Sequence, residues 1–259
     1  DLNLRFLAPK ASALAARQRP DNSRMEYTCF MQDESRTDSQ TFERTIMYEM
    51  TLMERAEAIA NILDETSPKT IDFLEQSSPF ELLVAAVLSA QTTDRQVNAV
   101  VPDLFGAYPD AFHLAAADIE DVMKIIKSTG FYRVKAAHII TLSRQLVENH
   151  NGEVPMNMND LTALSGVGRK VANVILGKLS DYPAIIVDTH FGRVVQRLAL
   201  VTSSDSVVIE RQIIDLINPE SRYRFSMTVN LHGRTICRAR KSECGICKLC
   251  SLCPSCIPV

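Results

Sequence analysis

The stretch Leu164-Ser165-Gly166-Val167-Gly168-Arg169-Lys170 decides how this chain is read. Two glycines with one residue between them let a backbone turn sharply and come close to a ligand. Apolar residues recur at helical spacing on both sides, over 159–164 and 168–179. The free N–H groups that open the second helix, at its positive dipole end, favour a phosphate. Such a grip holds a nucleic-acid backbone without reading bases. A plain packing hairpin between two helices is equally compatible with the turn taken alone.

Lys170 lies two residues after Gly168, inside the first helical turn, where a cation opposes the helix dipole. That position, beside Arg169, favours the neutral amine, the form that forms a Schiff base. Eighteen positions later a short apolar, β-branched run ends in Val187-Asp188-Thr189-His190. Asp188 can take the amine's proton or stabilise positive charge developing at a sugar carbon. The blander alternative makes Lys170 a phosphate contact and Asp188 a helix N-cap.

Net charge is −3, but it is unevenly spread. Residues 161–259 hold 13 Lys/Arg against 7 Asp/Glu, and the remainder holds 15 against 24. A basic half joined to an acidic half suits a protein with one face turned to nucleic acid. Nine glycines and no tryptophan favour helices over a turn-rich β-sandwich. The longest nearly unbroken apolar run, 82–90, is too short to span a bilayer. No transmembrane helix and no membrane partner are expected.

Six of seven cysteines fall between Cys237 and Cys256, and five of them recur at every third position. A secreted disulfide framework would spread its bridges across the fold, and no secretory signal is legible. The tail therefore reads as a metal or cluster site in a reducing compartment. Spacing alone does not choose the four ligands, nor separate an iron–sulfur cluster from a four-cysteine zinc site.

The first fifty residues stand apart. Residues 4–20 carry Ala and Arg and no acid, as an organellar transit peptide does, and 21–40 are polar and aperiodic. A disordered tail or a non-native upstream extension is the preferred reading, since Met47, Met50 or Met53 would each serve as a start. From Met53 onward the pattern is helical: 53–65, 80–90 behind Ser78-Pro79, 94–105 capped by Thr93 or Asp94, 118–127, 132–149, 159–164, 168–179, 189–200, 205–217 and 220–236. Only 184–187 looks extended. The fold class is all-α with a metal-bearing tail.

At this point several motifs together resemble the endonuclease III branch of the helix-hairpin-helix DNA glycosylases. They are the hairpin, Val187–His190, Ser77-Ser78-Pro79-Phe80-Glu81-Leu82-Leu83, Leu88-Ser89-Ala90-Gln91-Thr92-Thr93-Asp94, Leu231-His232-Gly233-Arg234 and the spacing of Cys237, Cys244, Cys247 and Cys253. The resemblance covers about 53–253. It implies a bifunctional glycosylase/AP lyase that removes oxidised pyrimidines, such as thymine glycol, from duplex DNA. Lys170 would attack the deoxyribose C1′, Asp188 would assist base departure, and β-elimination would nick the strand.

The same resemblance implies that Gln91 fills the space of an extruded nucleotide and that Phe131 wedges the opposite strand. It puts Gly166, Gly168, Arg169, His190 and Arg193 on the DNA. It assigns Cys237, Cys244, Cys247 and Cys253 to a structural [4Fe–4S] cluster, leaving Cys250 and Cys256 over, with Cys250 a possible competitor. Arg238, Arg240, Lys241 and Lys248 would turn that loop towards phosphates.

The implied architecture is two-lobed, with a six-helix barrel over 72–182 and a cluster domain from 51–71 plus 183–259. A monomer in the cytoplasm is expected, or in the nucleus or mitochondrion of a eukaryote. Ser165 replaces the family's usual proline, which loosens the turn yet leaves a hydroxyl for a local bond. The adenine mismatch glycosylases share the cysteine spacing but carry serine in place of Lys170 and glutamate in place of Ala86. They also append a further domain, for which no residues remain here. A non-catalytic DNA-binding module with a redox-sensing cluster would need neither Lys170 nor Asp188.

Overall fold

A computed structural model describes residues 50–74 and 76–257. The readings of the amino-terminal extension fall outside these residues, apart from Met50. The described residues are helical and contain no β-strand, as the fold class requires.

Helix α1 (Leu52–Thr66) starts at a capping box: Glu54 N–H donates to Thr51 Oγ1 at 3.2 Å, and the Thr51 N–H donates back to the Glu54 carboxylate at 2.8 Å. Ser78 caps α2 (Pro79–Leu88), with proline in the first turn where its missing N–H costs nothing. Thr93, the first of the two candidate caps, opens α3 (Asp94–Ala107). That helix runs past the expected end and accommodates Pro102 in its interior. Then follow α4 (Ala111–Ala115), α5 (Ile119–Ile125), a 3-10 turn (Lys127–Thr129) and the long α6 (Tyr132–His150).

The hairpin helices are α7 (Met158–Ala163) and α8 (Arg169–Leu179), and α9 (Thr189–Arg197), α10 (Ser206–Ile214) and α11 (Arg222–Thr235) complete the set. Six helices end one to three residues earlier than the apolar pattern suggests. Beyond α9, for example, Ala199 adopts φ 48°, which stops the helix while Leu198 and Leu200 stay buried. The pattern missed α4, whose five residues bury only Ala111 and Leu114, too few for a period to register.

Two apolar clusters form the core. One takes residues from Leu74 to Leu176 and is centred on α2, where Phe80 and every residue from Leu82 to Leu88 is buried. Each of its larger side chains contributes about 1.5–3 kcal/mol by leaving water. The other joins Ala56, Ile59 and Leu63 of α1 to residues between Ile185 and Leu252.

Helix α8 packs on α2, so the turn that opens it is carried on the most buried helix of the first cluster. In the second, α9 packs against α11, and Gly233 is the close point: a Cβ there would meet Val194 Cγ2 at 3.0 Å and the His190 carbonyl at 3.1 Å. Residues 184–187, which the sequence marks as extended, form neither helix nor strand and are anchored where Ile186 N–H donates to Ser226 Oγ at 3.0 Å.

Candidate active site

Gly166 stands at φ +77°, and a Cβ on it would press on His138 at 3.0 Å and Val87 at 3.1 Å. Both conformation and space demand glycine. Gly168 differs: its φ is −93°, it caps α8 without a side chain, and a Cβ there would meet nothing within 4 Å. The space beside this helix start is open, as a phosphate would need. Ser165 is more than a loosened proline. Its N–H, which proline lacks, donates to Gln145 Oε1 at 2.7 Å, and its hydroxyl bonds His138 Nδ1 at 2.9 Å. Both partners lie on α6, so the turn is held to that helix by polar contacts.

Lys170 is exposed on the first turn of α8 and lines the same cleft as Asp188. Ser89, Asp94, Tyr223 and Arg234 share its walls. Burial pushes the Tyr223 phenol up to about 12, keeping it a neutral wall at working pH. Asp188 is a helix N-cap, and it also lines the cleft. Its Oδ1 caps α9, accepting the N–H groups of His190 and Phe191 at 2.8 Å each. Its Oδ2 is turned to Arg234, with Nη2 3.8 Å away.

Arg234 pairs through Nη1 with Asp94, donates from Nε to Asn230 Oδ1 at 2.8 Å and stacks 4.0 Å over the Phe73 ring. The sequence marks Arg234 only as part of a motif, and Asp94 only as part of a motif and as a candidate helix cap. Ala86, where the mismatch glycosylases carry glutamate, is buried in α2.

Among the residues expected on DNA, Gln91 is exposed in left-handed backbone at φ 52°. Phe131, at φ 47°, is 67% exposed, which rules out a core phenylalanine. Arg169 is engaged with Glu210, its Nε and Nη2 meeting the two carboxylate oxygens at 2.7 and 2.9 Å. Glu210 is buried and also takes Asn173 Nδ2 at 3.2 Å. Nothing in the spacing marked Glu210, because it lies 41 positions from Arg169.

His190 is half-buried beside Arg193, Nδ1 to Nη2 3.4 Å. Arg193 turns inward and donates from Nη2 to the carbonyls of Gly233 at 2.7 Å and Cys237 at 3.1 Å. It thereby ties α9 to the start of the cysteine segment.

Cys237, Cys244, Cys247 and Cys253 are free thiols, each half-buried, while Cys250 and Cys256 form a disulfide with each other. That bond withdraws Cys250 as a competing ligand. Burial pushes the Cys247 thiol up and the Cys253 thiol up to about 11, and the neighbouring cysteines add to both rises. Only a cationic centre would hold these four sulfurs together as thiolates.

Among the described residues no three side chains of ligand type converge closely enough for one metal ion. Arg197 braces the loop, donating from Nη1 to Cys237 Sγ at 3.2 Å and Ser242 Oγ at 2.8 Å, and from Nη2 to the Ala239 carbonyl at 3.0 Å. Arg238, Arg240, Lys241 and Lys248 are exposed around it.

Comparison with known proteins agrees with this geometry. Residues 84–219 match the family model described as HhH-GPD superfamily base excision DNA repair protein. Endonuclease III of Synechocystis sp. (strain ATCC 27184 / PCC 6803 / Kazusa) is 45% identical over 203 residues, covering 78% of this chain and 93% of that protein. Endonuclease III of Escherichia coli (strain K12) is 40% identical over 185 residues, covering 71% and 88%. Two solved structures, a non-covalent endonuclease III–DNA complex and a trapped endonuclease III–DNA covalent intermediate, superpose with TM-score 0.76 at 36% identity. Each match covers 80% of this chain and 97% of the other.

Proposed function

We propose, on the premise that the chain belongs to the endonuclease III family of HhH-GPD base excision DNA repair proteins, that Lys170 and Asp188 carry its chemistry. Its activity is that of a DNA glycosylase with AP lyase activity, and its substrate is DNA. The supporting observation is that the two side chains line one cleft while the α9 cap holds the carboxylate in place.

The neutral Lys170 amine attacks C1′ as the C1′–N bond breaks, and the bond's electron pair leaves with the base, which takes up a proton. The Asp188 carboxylate stabilises the positive charge that grows at the sugar and accepts the proton the amine sheds. Ring opening then leaves a Schiff base. Loss of the C2′ proton expels the 3′ phosphate, and water releases Lys170. Oxidised pyrimidines in duplex DNA are the proposed lesions. Gln91 and Phe131 would enter the stack from two exposed loops, and the N–H groups after Gly168 would hold a phosphate.

For the cofactor, Cys237, Cys244, Cys247 and Cys253 would hold a [4Fe–4S] cluster that fixes the basic loop in place. The two apolar clusters support a division into a barrel of 72–182 and a cluster domain of 51–71 plus 183–259. Lys170 and Asp188 line one cleft without a second copy, and action as a monomer is proposed. The cytoplasm, or a eukaryotic nucleus or mitochondrion, is where such a substrate lies.

Borohydride trapping on duplex DNA with an abasic site tests the assignment. The native protein should form a covalent adduct, and Lys170→Ala should form none. Undiminished trapping by Lys170→Ala would overturn it. Broad visible absorption of the purified protein would establish the cluster, and a colourless zinc protein would refute it.

A further inference from the structure

Gln91 and Phe131 lie on separate loops, and both occupy the left-handed region, at φ 52° and 47°. Non-glycine residues are held there only when their surroundings over-determine them. One buried cation bonds to both loops. Lys135, in the first turn of α6, is 4% exposed. Its Nζ donates to the Thr129 carbonyl at 2.9 Å and to the hydroxyl of Thr92, the residue after Gln91. The Thr92 hydroxyl in turn donates to the Thr129 carbonyl, two residues before Phe131. A weaker crossing, Gln96 Nε2 to the Ser128 carbonyl at 3.3 Å, runs alongside on the exposed side.

Among the described residues no carboxylate pairs with Lys135. Its neighbours are a hydroxyl and a carbonyl, and burial pulls its ammonium below the ordinary lysine value. Burying a charge without a counter-charge is unfavourable. Methionine would fill similar space without that penalty, so stability alone is a poor account of a lysine here. Departures of this kind from local consistency mark functional positions.

We propose that Lys135 is a positioning residue for nucleotide extrusion: its ammonium and the Thr92 hydroxyl lock the Gln91 loop to the Phe131 loop, so that both probes enter the duplex as one body. Two independently moving loops would each lose freedom on entering the stack, and a joined pair has lost it beforehand. The inference deepens the reading of Gln91 and Phe131 given above and rests on it. Lys135 takes no part in bond breaking at the sugar.

The test uses the full chain and a thymine glycol duplex with 2-aminopurine beside the lesion, whose fluorescence rises when stacking is broken. Lys135→Met should slow that rise by about tenfold or more, while its borohydride adduct on an abasic site in a single strand stays within about twofold of native. Lys135→Arg keeps donors to both loops and should return the rate to within about threefold of native. Thr92→Val keeps the cation and removes the hydroxyl bridge. It should slow extrusion by an intermediate factor, and it decides the matter if Lys135→Met does not fold.

Unchanged extrusion in the folded variants would overturn the proposal. So would a parallel loss of single-strand trapping, which would make Lys135 a general support of the fold. Failure of the native protein to form any adduct would strike the Lys170 assignment instead, and the extrusion rates would still decide the role of Lys135.

Discussion

Nη2 of Arg234 lies 3.8 Å from Oδ2 of Asp188, the oxygen left over after Oδ1 has capped α9. One carboxylate thus serves a helix and a cleft, and the same guanidinium reaches back through Nη1 to Asp94 at the start of α3. Arg234→Ala removes the cation facing Asp188 and leaves Asp94 without its partner. Because Arg234 and Asp94 are partly exposed and Asp188 keeps its two N–H bonds, the expected loss of stability is modest, about 1–2 kcal/mol by thermal melting. Lesion cleavage should fall far more than that loss explains. Equal losses in both would count against a role for Arg234 in the cleft.

The double use of Asp188 separates two substitutions. Asn accepts the same two N–H bonds, so Asp188→Asn should melt within about 0.5 kcal/mol of native, whereas Asp188→Ala should cost about 1 kcal/mol through the lost cap. Both remove the charge and should abolish base excision alike. An active Asp188→Asn would show that the cap is all the residue provides.

The hairpin glycines should part in the same way. Gly166→Ala meets a left-handed φ and two tight contacts, and should cost about 1–3 kcal/mol. At Gly168 alanine has room and an ordinary φ, so stability should change by less than about 1 kcal/mol. Its methyl group would project into the space proposed for a phosphate. The expected outcome is weaker DNA binding at unchanged melting temperature, read by titration at fixed salt.

Arg169 and Glu210 form an asymmetric pair, with side chains 52% and 8% exposed. Removing the arginine strands a buried carboxylate, and Arg169→Ala should cost about 2–4 kcal/mol. Glu210→Gln leaves a half-exposed guanidinium that water can solvate, and should cost about half as much. Chemical denaturation of the two variants measures the difference. The reverse order would mean that Asn173 alone suffices to hold Glu210.

Tyr223 supplies a pH dependence. Burial raises its phenol from the ordinary 10 to about 12, so the fold favours the protonated form. That contribution is fully present below pH 10 and is lost as pH rises towards 12. The melting temperature of the native protein should fall across that window, and Tyr223→Phe should fall less steeply. Identical slopes would place the titration elsewhere.

Much of this was legible in one dimension because it is local. Caps at Thr51, Ser78 and Thr93 work over three residues, and the Gly-Val-Gly turn is a matter of φ at Gly166. Most helices were recognisable from an apolar stripe or a capping signal, and α4 was missed because its five residues bury only Ala111 and Leu114. Lys170 and Asp188 stood out because helix starts have a short-range signature. The cysteine spacing narrowed the tail to a metal or cluster site before any contact was known.

Contacts without a sequence period were not legible. Glu210 meets Arg169 across 41 positions, Thr92 meets Lys135 across 43, and Arg234 meets Asp94 across 140. No local rule couples such residues. Packing α8 onto α2 and α11 onto α9 decides which side chains become neighbours. Tertiary structure also paired Cys250 with Cys256, a choice that an every-third-residue repeat leaves open. The sequence by itself determined the helices, the hairpin and the chemical character of the candidate residues, since these follow from backbone preference and side-chain type. Only the tertiary structure decided that Asp188 splits its oxygens between a helix and a cleft, and that one buried lysine joins the two exposed loops, because both depend on which surfaces are driven together when water is excluded.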